Sequence, residues 1–246
     1  MEKDRSLYLR TCDKNFQSYN KFQWPNQVGA EVSAPDWKPN KECGNGLHGL
    51  LNGNGGSSLL SDDESAIWMV VSANQSESID LVGKHKFPRC RIEHIGNRDS
   101  AVKYLVDAGC QGVHFARIIA GNDCTLTGGY NCTLTGGNRS TLTGGDYCKL
   151  TGGNGCTLTG GYGCTLTGGD GCKLTGGYGC KLTGGDGCTL TGGGGSVLQG
   201  GLGSELRICY WDDKAKRNRT VIGYVGEDLE ANVAYKLDEA HKFVKV

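Results

Sequence analysis

The sequence predicts a mainly β protein: a small α+β domain at residues 1–112, a parallel β-solenoid of about five 16-residue coils at 113–204, and a small cap at 205–246. The first observation is an eight-residue phrase, close to G-x-x-C-T-L-T-G, that occurs ten times without insertion between Gly121 and Gly200. The second is that the preceding hundred residues carry unrepeated strand and helix patterns. A fixed short period is typical of a solenoid.

Each phrase has the alternation of a β-strand. Cys124 and Leu126 fall on one face, and Thr125 and Thr127 fall on the other. The paired glycines that join successive phrases are expected to supply the positive φ angles of a sharp bend. The variable second position alternates in chemistry with a period of sixteen, so two phrases form one coil. Successive coils should stack about 4.8 Å apart.

The alternation places cysteine and leucine inside the solenoid, since both are compact and apolar. The inward cysteines are Cys124, Cys132, Cys148, Cys156, Cys164, Cys172, Cys180 and Cys188. Serine takes the same position at Ser140, Ser196 and Ser204. We interpret these cysteines as reduced structural thiols. A ladder spreads its sulfurs along a line, whereas a metal needs converging ligands, so no metal and no cofactor are expected.

The T-x-T pairs then face solvent on both sides and form a candidate binding surface. Its residues on one face are Thr125, Thr127, Thr141, Thr143, Thr157 and Thr159, and on the other Thr133, Thr135, Thr165 and Thr167. Lysine replaces the first threonine of the pair at Lys149, Lys173 and Lys181. Tyr130, Tyr162 and Tyr178 recur at one corner and form a candidate self-association strip, which Asp146 interrupts.

The phrase GYGCTLTGGDGCKLTG resembles the tandem repeat of the bacterial ice-nucleation proteins. The tail from SVLQGG to the end resembles the C-terminal cap of that family, so the resemblance covers about residues 113 to 246. It implies outward T-x-T rows that order water. It also implies self-assembly through the coils near the cap, where basic residues replace threonine, as the three lysines do here. Because a monomer with about five coils is a short template, weak ice binding is expected rather than strong nucleation.

The first region predicts strands at LYLRTC, at residues 66–71 and at CRIEHI. The segment DSAVKYLVDAG predicts a helix with Asp99 as its N-cap and Gly109 as its stop. Residues 113–120, VHFARIIA, fit the eight-residue phrase and predict a capping half-coil with Ala116 and Ile118 inward. Such a cap covers the open edge of a sheet.

Cys43 and His48 lie five positions apart in a glycine-rich segment that also carries Trp24 and Trp37. A nucleophilic cysteine needs a base within hydrogen-bond reach and an oxyanion donor, and proximity in sequence supplies neither. The segment therefore favours a structural loop whose tryptophans pack on the sheet, and Cys43 and His48 are only weak catalytic candidates. The phrase CGNGLHGLL resembles small bacterial domains of unknown function.

The net charge and the lack of an apolar targeting segment indicate which partners and which location to expect. The chain has 26 lysines and arginines and 26 aspartates and glutamates, so no net charge favours binding to nucleic acid or a membrane surface. No segment has the apolar length of a signal peptide or a membrane span, which predicts a cytoplasmic protein.

Three function classes remain open. The preferred one is a non-enzymatic binding or scaffold protein, with an unidentified protein or a second copy of the chain as partner. The second is an ice-binding or weakly ice-nucleating protein, with ice or ordered water as partner. The third is an effector or enzyme whose site lies in the N-terminal domain.

Overall fold

The computed structural model describes residues 4–61 and 63–246 and divides the chain into two compact units, of which the first ends at His114 and the second begins at Phe115. The strands of the first unit are β1 (Arg5–Cys12), β2 (Glu31–Ser33), β3 (Leu47–Leu51), β4 (Ile67–Asn74), β5 (Ile79–Asp80), β6 (His85–Phe87) and β7 (Arg89–Gly96). Its helices are α1 (Arg98–Asp107) and short 3-10 turns at Tyr19–Lys21, Ser57–Leu59 and Gln75–Glu77.

The first unit is built on one antiparallel sheet with the strand order β2-β7-β4-β1-β3-β6-β5. The three strands predicted from sequence are confirmed as β1, β4 and β7. Tyr8, Met69, Phe87 and Ile92 are fully buried in the core, because these strands carry apolar residues toward a common side. Trp24 is also buried there, as expected for a loop that packs on the sheet.

Helix α1 is confirmed, but its predicted N-cap is wrong. The cap is Asn97, whose side-chain oxygen accepts a hydrogen bond from the backbone N–H of Ser100 at 2.9 Å. Asp99 lies in the first turn instead, where a negative charge is favoured by the helix dipole. Gly109 follows the helix with a φ of +84°, which confirms its role as the stop.

The second unit contains two parallel sheets whose strands alternate along the chain. The first sheet contains β8 (Arg117–Ile119), β10 (Thr133–Thr135), β12 (Lys149–Thr151), β14 (Thr165–Thr167), β16 (Lys181–Thr183) and β18 (Val197–Gln199). The second contains β9 (Thr125–Thr127), β11 (Thr141–Thr143), β13 (Thr157–Gly160), β15 (Lys173–Gly176), β17 (Thr189–Gly192) and β19 (Glu205–Asp212).

The solenoid predicted from the repeat is confirmed, with a period of sixteen residues. Leu134 pairs with Leu150, and Leu158 pairs with Leu174, each in parallel register. The described residues form about six coils rather than five, because β8 and β19 extend the ladder beyond the ten phrases. Strand β8 lies in the segment expected to form a half-coil, and its neighbour Ala116 is fully buried.

The paired glycines do not have the role predicted for them. The positive φ angles lie at the third residue of each phrase, for example Asp123 at 56° and Gly163 at 63°. The glycine pairs are required by close packing instead. A Cβ on Gly152 would lie 2.9 Å from the Cβ of Cys156, and one on Gly145 would lie 2.9 Å from a backbone oxygen of the preceding coil.

The C-terminal segment continues both sheets with antiparallel strands. It contains β20 (Arg217–Tyr224), which pairs with β19, and β21 (Ala234–Leu237), which pairs with β18 and with β22 (Phe243–Lys245). The last strands of the solenoid, β18 and β19, therefore pair with antiparallel strands instead of with a further coil, and their edges are covered.

Candidate functional site

The interior of the solenoid is a ladder of sulfur and leucine. The Sγ of Cys156 donates to the carbonyl of Gly137 at 3.1 Å and accepts from the backbone N–H of Ser140 at 3.4 Å. Burial raises the pKa of Cys172 and Cys188, so these inward thiols stay neutral. The inward prediction is confirmed except at Cys124 and Leu126, which are half-buried because β9 has a neighbouring coil on one side only.

The outer surfaces carry the threonines, and we name them by their strands. Face I is the outer surface of β9, β11, β13, β15 and β17, and face II is that of β8, β10, β12, β14, β16 and β18. In every T-x-T pair we distinguish a first and a second position. Each position forms a row that runs across the sheet from coil to coil, since successive coils are in exact sixteen-residue register.

The second-position rows are continuous. On face I the row is Thr127, Thr143, Thr159, Thr175 and Thr191. On face II it is Thr135, Thr151, Thr167 and Thr183. Sequence reasoning placed all of these threonines on the two faces, but the candidate binding surface that it named did not include Thr151, Thr175, Thr183 and Thr191. The omission has a simple source, because three of these four follow a lysine in the same pair.

The first-position rows are interrupted by the three lysines, all exposed. On face I the row is Thr125, Thr141, Thr157, Lys173 and Thr189, and on face II it is Thr133, Lys149, Thr165 and Lys181. Face I therefore has one lysine among ten positions, and face II has two among the eight positions of β10, β12, β14 and β16. Strands β8 and β18 of face II carry no threonine. Face I is the more uniform of the two surfaces.

An aromatic column runs along one corner of the coils. Tyr130, Tyr147, Tyr162 and Tyr178 succeed one another with ring centroids 5.7, 5.3 and 5.9 Å apart. The interruption predicted at Asp146 is wrong, because the next residue, Tyr147, places its ring in the column. Sequence reasoning missed Tyr147 because it followed one position of the phrase at a fixed interval of sixteen. Tyr147, Tyr162 and Tyr178 are exposed.

Asp146 joins successive coils, as do the Asn and Asp side chains at the opposite corner. At that corner the side-chain oxygen of each Asn or Asp in the second position of a phrase accepts a hydrogen bond from a backbone N–H of the next coil. Asn154, for example, accepts from Asp170 at 3.0 Å. Asp146 accepts in the same way from Tyr162 at 2.8 Å. Coils are thus joined at their corners as well as along their strands, which holds the two faces in fixed register.

Cys43 and His48 line a common cavity in the N-terminal domain but do not form a hydrogen bond with each other. Cys43 is exposed, and Lys84 Nζ lies 3.0 Å from its Sγ, which lowers the pKa of the thiol. The pKa of His48 is lowered to about 4, chiefly by burial and then by the charge of Lys84. The arrangement is therefore not a cysteine paired to a histidine base.

The described residues contain neither a cluster of metal-binding side chains nor a helix that could span a membrane. That part of the chain contains no group of three or more His, Cys, Asp or Glu side chains able to hold a metal ion. Within the same ranges, no helix has the length and apolar character needed to span a membrane.

The fold and the outer rows define a class: a capped parallel β-solenoid that presents continuous threonine rows. The comparisons agree with it. The chain is 37% identical over 108 residues to the ice nucleation protein InaU of Pantoea ananas, covering 43% of this chain and 10% of the relative. It is 36% identical over 107 residues to an ice nucleation protein of Pseudomonas syringae pv. syringae, covering 43% and 9%. The resemblance to the ice nucleation proteins is confirmed.

The N-terminal domain matches a different family. A model described as a domain of unknown function, DUF7666, matches residues 6–105. No solved structure matches the chain significantly. The chain spans about a tenth or less of the length of the curated relatives it matches.

The comparisons also correct one prediction. The ice nucleation proteins that the chain resembles are surface proteins anchored to the outer membrane, which conflicts with a cytoplasmic location. The cytoplasmic assignment, which depended on the lack of an apolar signal in the sequence, is therefore wrong.

Proposed function

We propose that this chain binds ice or ordered water through the threonine rows of its solenoid, with face I as the stronger surface. The observation that supports this most directly is the unbroken second-position row from Thr127 to Thr191. Each threonine offers a hydroxyl that can donate and accept and a methyl group that leaves neighbouring water unbound. The sheet repeats both groups about every 4.8 Å.

The size of the solenoid favours binding over strong nucleation. The five threonine strands of face I, about 4.8 Å apart, give a template about 19 Å long between its first and last strands. A nucleating template must hold an embryo large enough to grow, whereas adsorption to existing ice needs only local complementarity. The names of the relatives agree with an interaction with ice. The short template favours adsorption to existing ice over nucleation of new ice.

The test compares variants of face I with variants of face II. Thr143→Lys with Thr159→Lys breaks the continuous row of face I, and Thr151→Lys with Thr167→Lys breaks that of face II. Thermal hysteresis and droplet freezing are measured on the full chain, and circular dichroism verifies the fold. The face I variant should lose most of the hysteresis, and the face II variant should lose less.

The double variants add positive charge, so the matched control is a variant that removes a lysine from face I and is expected to gain activity. Lys173→Thr completes the first-position row of face I between Thr157 and Thr189. It should raise thermal hysteresis above that of the wild type. Equal hysteresis in the wild type, both double variants and Lys173→Thr would exclude the threonine rows as the ice-binding surface.

We also propose that the chain self-associates along its aromatic column, which is one form of the preferred scaffold interpretation. The supporting observation is the series of exposed rings at Tyr147, Tyr162 and Tyr178. Tyrosine is enriched in protein interfaces because it combines a large apolar ring with a hydroxyl group. The lysines Lys149, Lys173 and Lys181 belong to this proposal through the family resemblance alone.

Sedimentation velocity can test the aromatic column. Tyr147→Ala with Tyr162→Ala should shift the protein to a lower mass. Tyr19→Ala is the control, since Tyr19 is 88% exposed and lies in the other unit. If the double variant keeps the wild-type mass distribution, the column is not an interface.

A further inference from the structure

The N-terminal domain contains a cavity of about 670 Å³ that the proposed ice-binding function does not use. Strands β1 and β3 and the segment around Cys43 line it. Its apolar wall includes Phe22, Leu50 and Leu60, and its polar wall includes Arg10, His48 and Lys84. Cavities that hold small organic molecules have this size and this mixture of an apolar wall with a few polar groups.

Arg10 is a buried cation on this wall, and no carboxylate of the described residues forms an ion pair with it. Its side chain is 9% exposed, and its guanidinium lies 3.6 Å from the ring centroid of Trp24. Nη1 donates to the carbonyl of His48 at 3.0 Å, but the buried Nε has no hydrogen-bond partner among the residues that the structure describes. No ion pair between described residues includes Arg10. A buried charge without a counter-charge is costly, so this position favours an anion.

Arg10 remains charged despite its burial. Burial lowers its pKa to about 10, which leaves the guanidinium protonated at neutral pH. His48, beside it, has a buried Nε2 that also lacks a hydrogen-bond partner within residues 4–61 and 63–246. The nearby cations that lower the pKa of His48 most are Lys84, Arg10 and Lys86, and Asp36 acts against them. The local field is therefore positive and attracts anions.

The wall beside Cys43 is held in place by a buried lysine. Lys86 has no exposed surface, and its Nζ donates to the side-chain oxygen of Asn40 at 2.8 Å and to the carbonyl of Glu42 at 2.9 Å. These bonds fasten the loop that carries Cys43 to strand β6. The rim of the cavity is thus a fixed part of the domain.

We propose that this cavity binds a small organic anion whose carboxylate or phosphate group pairs with Arg10 and whose apolar body packs on Phe22, Leu50 and Leu60. Arginine suits this role because its fork of N–H donors matches the oxygens of such groups. Lys84, which also lines the cavity, supplies a second positive group. The site is independent of the threonine rows, so either proposal can fail without the other.

Three probes separate the parts of the ligand: benzoate, its neutral analogue benzamide, and inorganic phosphate. Binding to the full chain is measured by isothermal titration calorimetry. Benzoate should bind at least tenfold more tightly than benzamide, and Arg10→Met should weaken benzoate at least tenfold, whereas Arg10→Lys should retain part of the affinity. Phosphate binding that Arg10→Met abolishes would also support an anion site.

A second measurement uses the wild-type protein, so it does not depend on the folding of a variant. Cys43 lies at the rim, and bound benzoate should slow its alkylation by iodoacetamide, followed by mass spectrometry. Cys209, in the other unit, is the internal control and should be unaffected. The proposal is overturned if no probe binds, if benzamide binds as well as benzoate, or if Arg10→Met and Cys43 alkylation show no effect.

Discussion

The two units of this chain obtain their stability from contacts of different range. In the N-terminal sheet, most neighbouring strands come from distant parts of the chain, and each core side chain has its own partners. In the solenoid, every strand pairs with the strand sixteen residues away, and equivalent positions have equivalent surroundings. A repeat array is stabilised by the sum of similar neighbour contacts, whereas the core of a globular domain depends on a few unique ones.

The largest effect should come from removing a unique core ring. Phe87 is fully buried and lies 4.7 Å from the ring of Tyr8. Phe87→Ala should cost about 3–5 kcal/mol because it leaves a cavity. Hydrogen exchange with mass spectrometry should show faster exchange throughout residues 5–107, and unchanged exchange there would contradict the importance of this core.

Two leucines with different numbers of neighbouring coils test whether the stability of the solenoid depends on contacts between coils. Leu158 is fully buried between two coils, whereas Leu126 is half-buried at the end of its sheet. Leu158→Ala should cost about 2–5 kcal/mol, and Leu126→Ala should cost less. Urea unfolding gives both values. Equal costs would show that the terminal coil is as well packed as an internal one.

A cysteine pair sharpens the same comparison. Cys156 lies in the ladder, where serine already fills the equivalent position at Ser140 and bonds to neighbouring coils. Cys156→Ser should therefore be close to neutral in urea unfolding. Cys90 is fully buried in the apolar core of the first unit, and Cys90→Ser should cost about 1–3 kcal/mol because it places a hydroxyl among apolar side chains. A larger cost for Cys156→Ser than for Cys90→Ser would refute this distinction between the solenoid and the first unit.

The smallest effect should be a dependence on pH that is confined to the first unit. Burial and nearby cations lower the pKa of His48 from 6.5 to about 4. Between these values the unfolded chain binds a proton that the folded chain does not, so stability should fall as the pH decreases from 6.5 to 4. Urea midpoints across this range should fall less steeply for His48→Gln. Identical slopes would mean that His48 does not contribute.

Sequence reasoning predicted more of the solenoid than of the N-terminal domain. In the repeat it predicted the interior and the outer faces, because Cys156 and Leu158 carry their orientation in the alternation itself. It misplaced the bend, since the pattern of the glycine pair cannot distinguish a positive φ at Gly152 from the close approach of Cys156. In the N-terminal domain it predicted the long strands but not their order, which depends on pairing between distant segments.

By itself, the sequence determined the period, the buried ladder and the threonine surface of the solenoid, because each strand meets a copy of its own phrase sixteen residues away. Only the tertiary structure decided that Arg10 lies beside His48, 38 positions along the chain, on the wall of a cavity. It also decided that Tyr147 completes the aromatic column. The physical reason is that a repeated contact is encoded in every phrase, whereas a contact made once depends on how the whole domain folds.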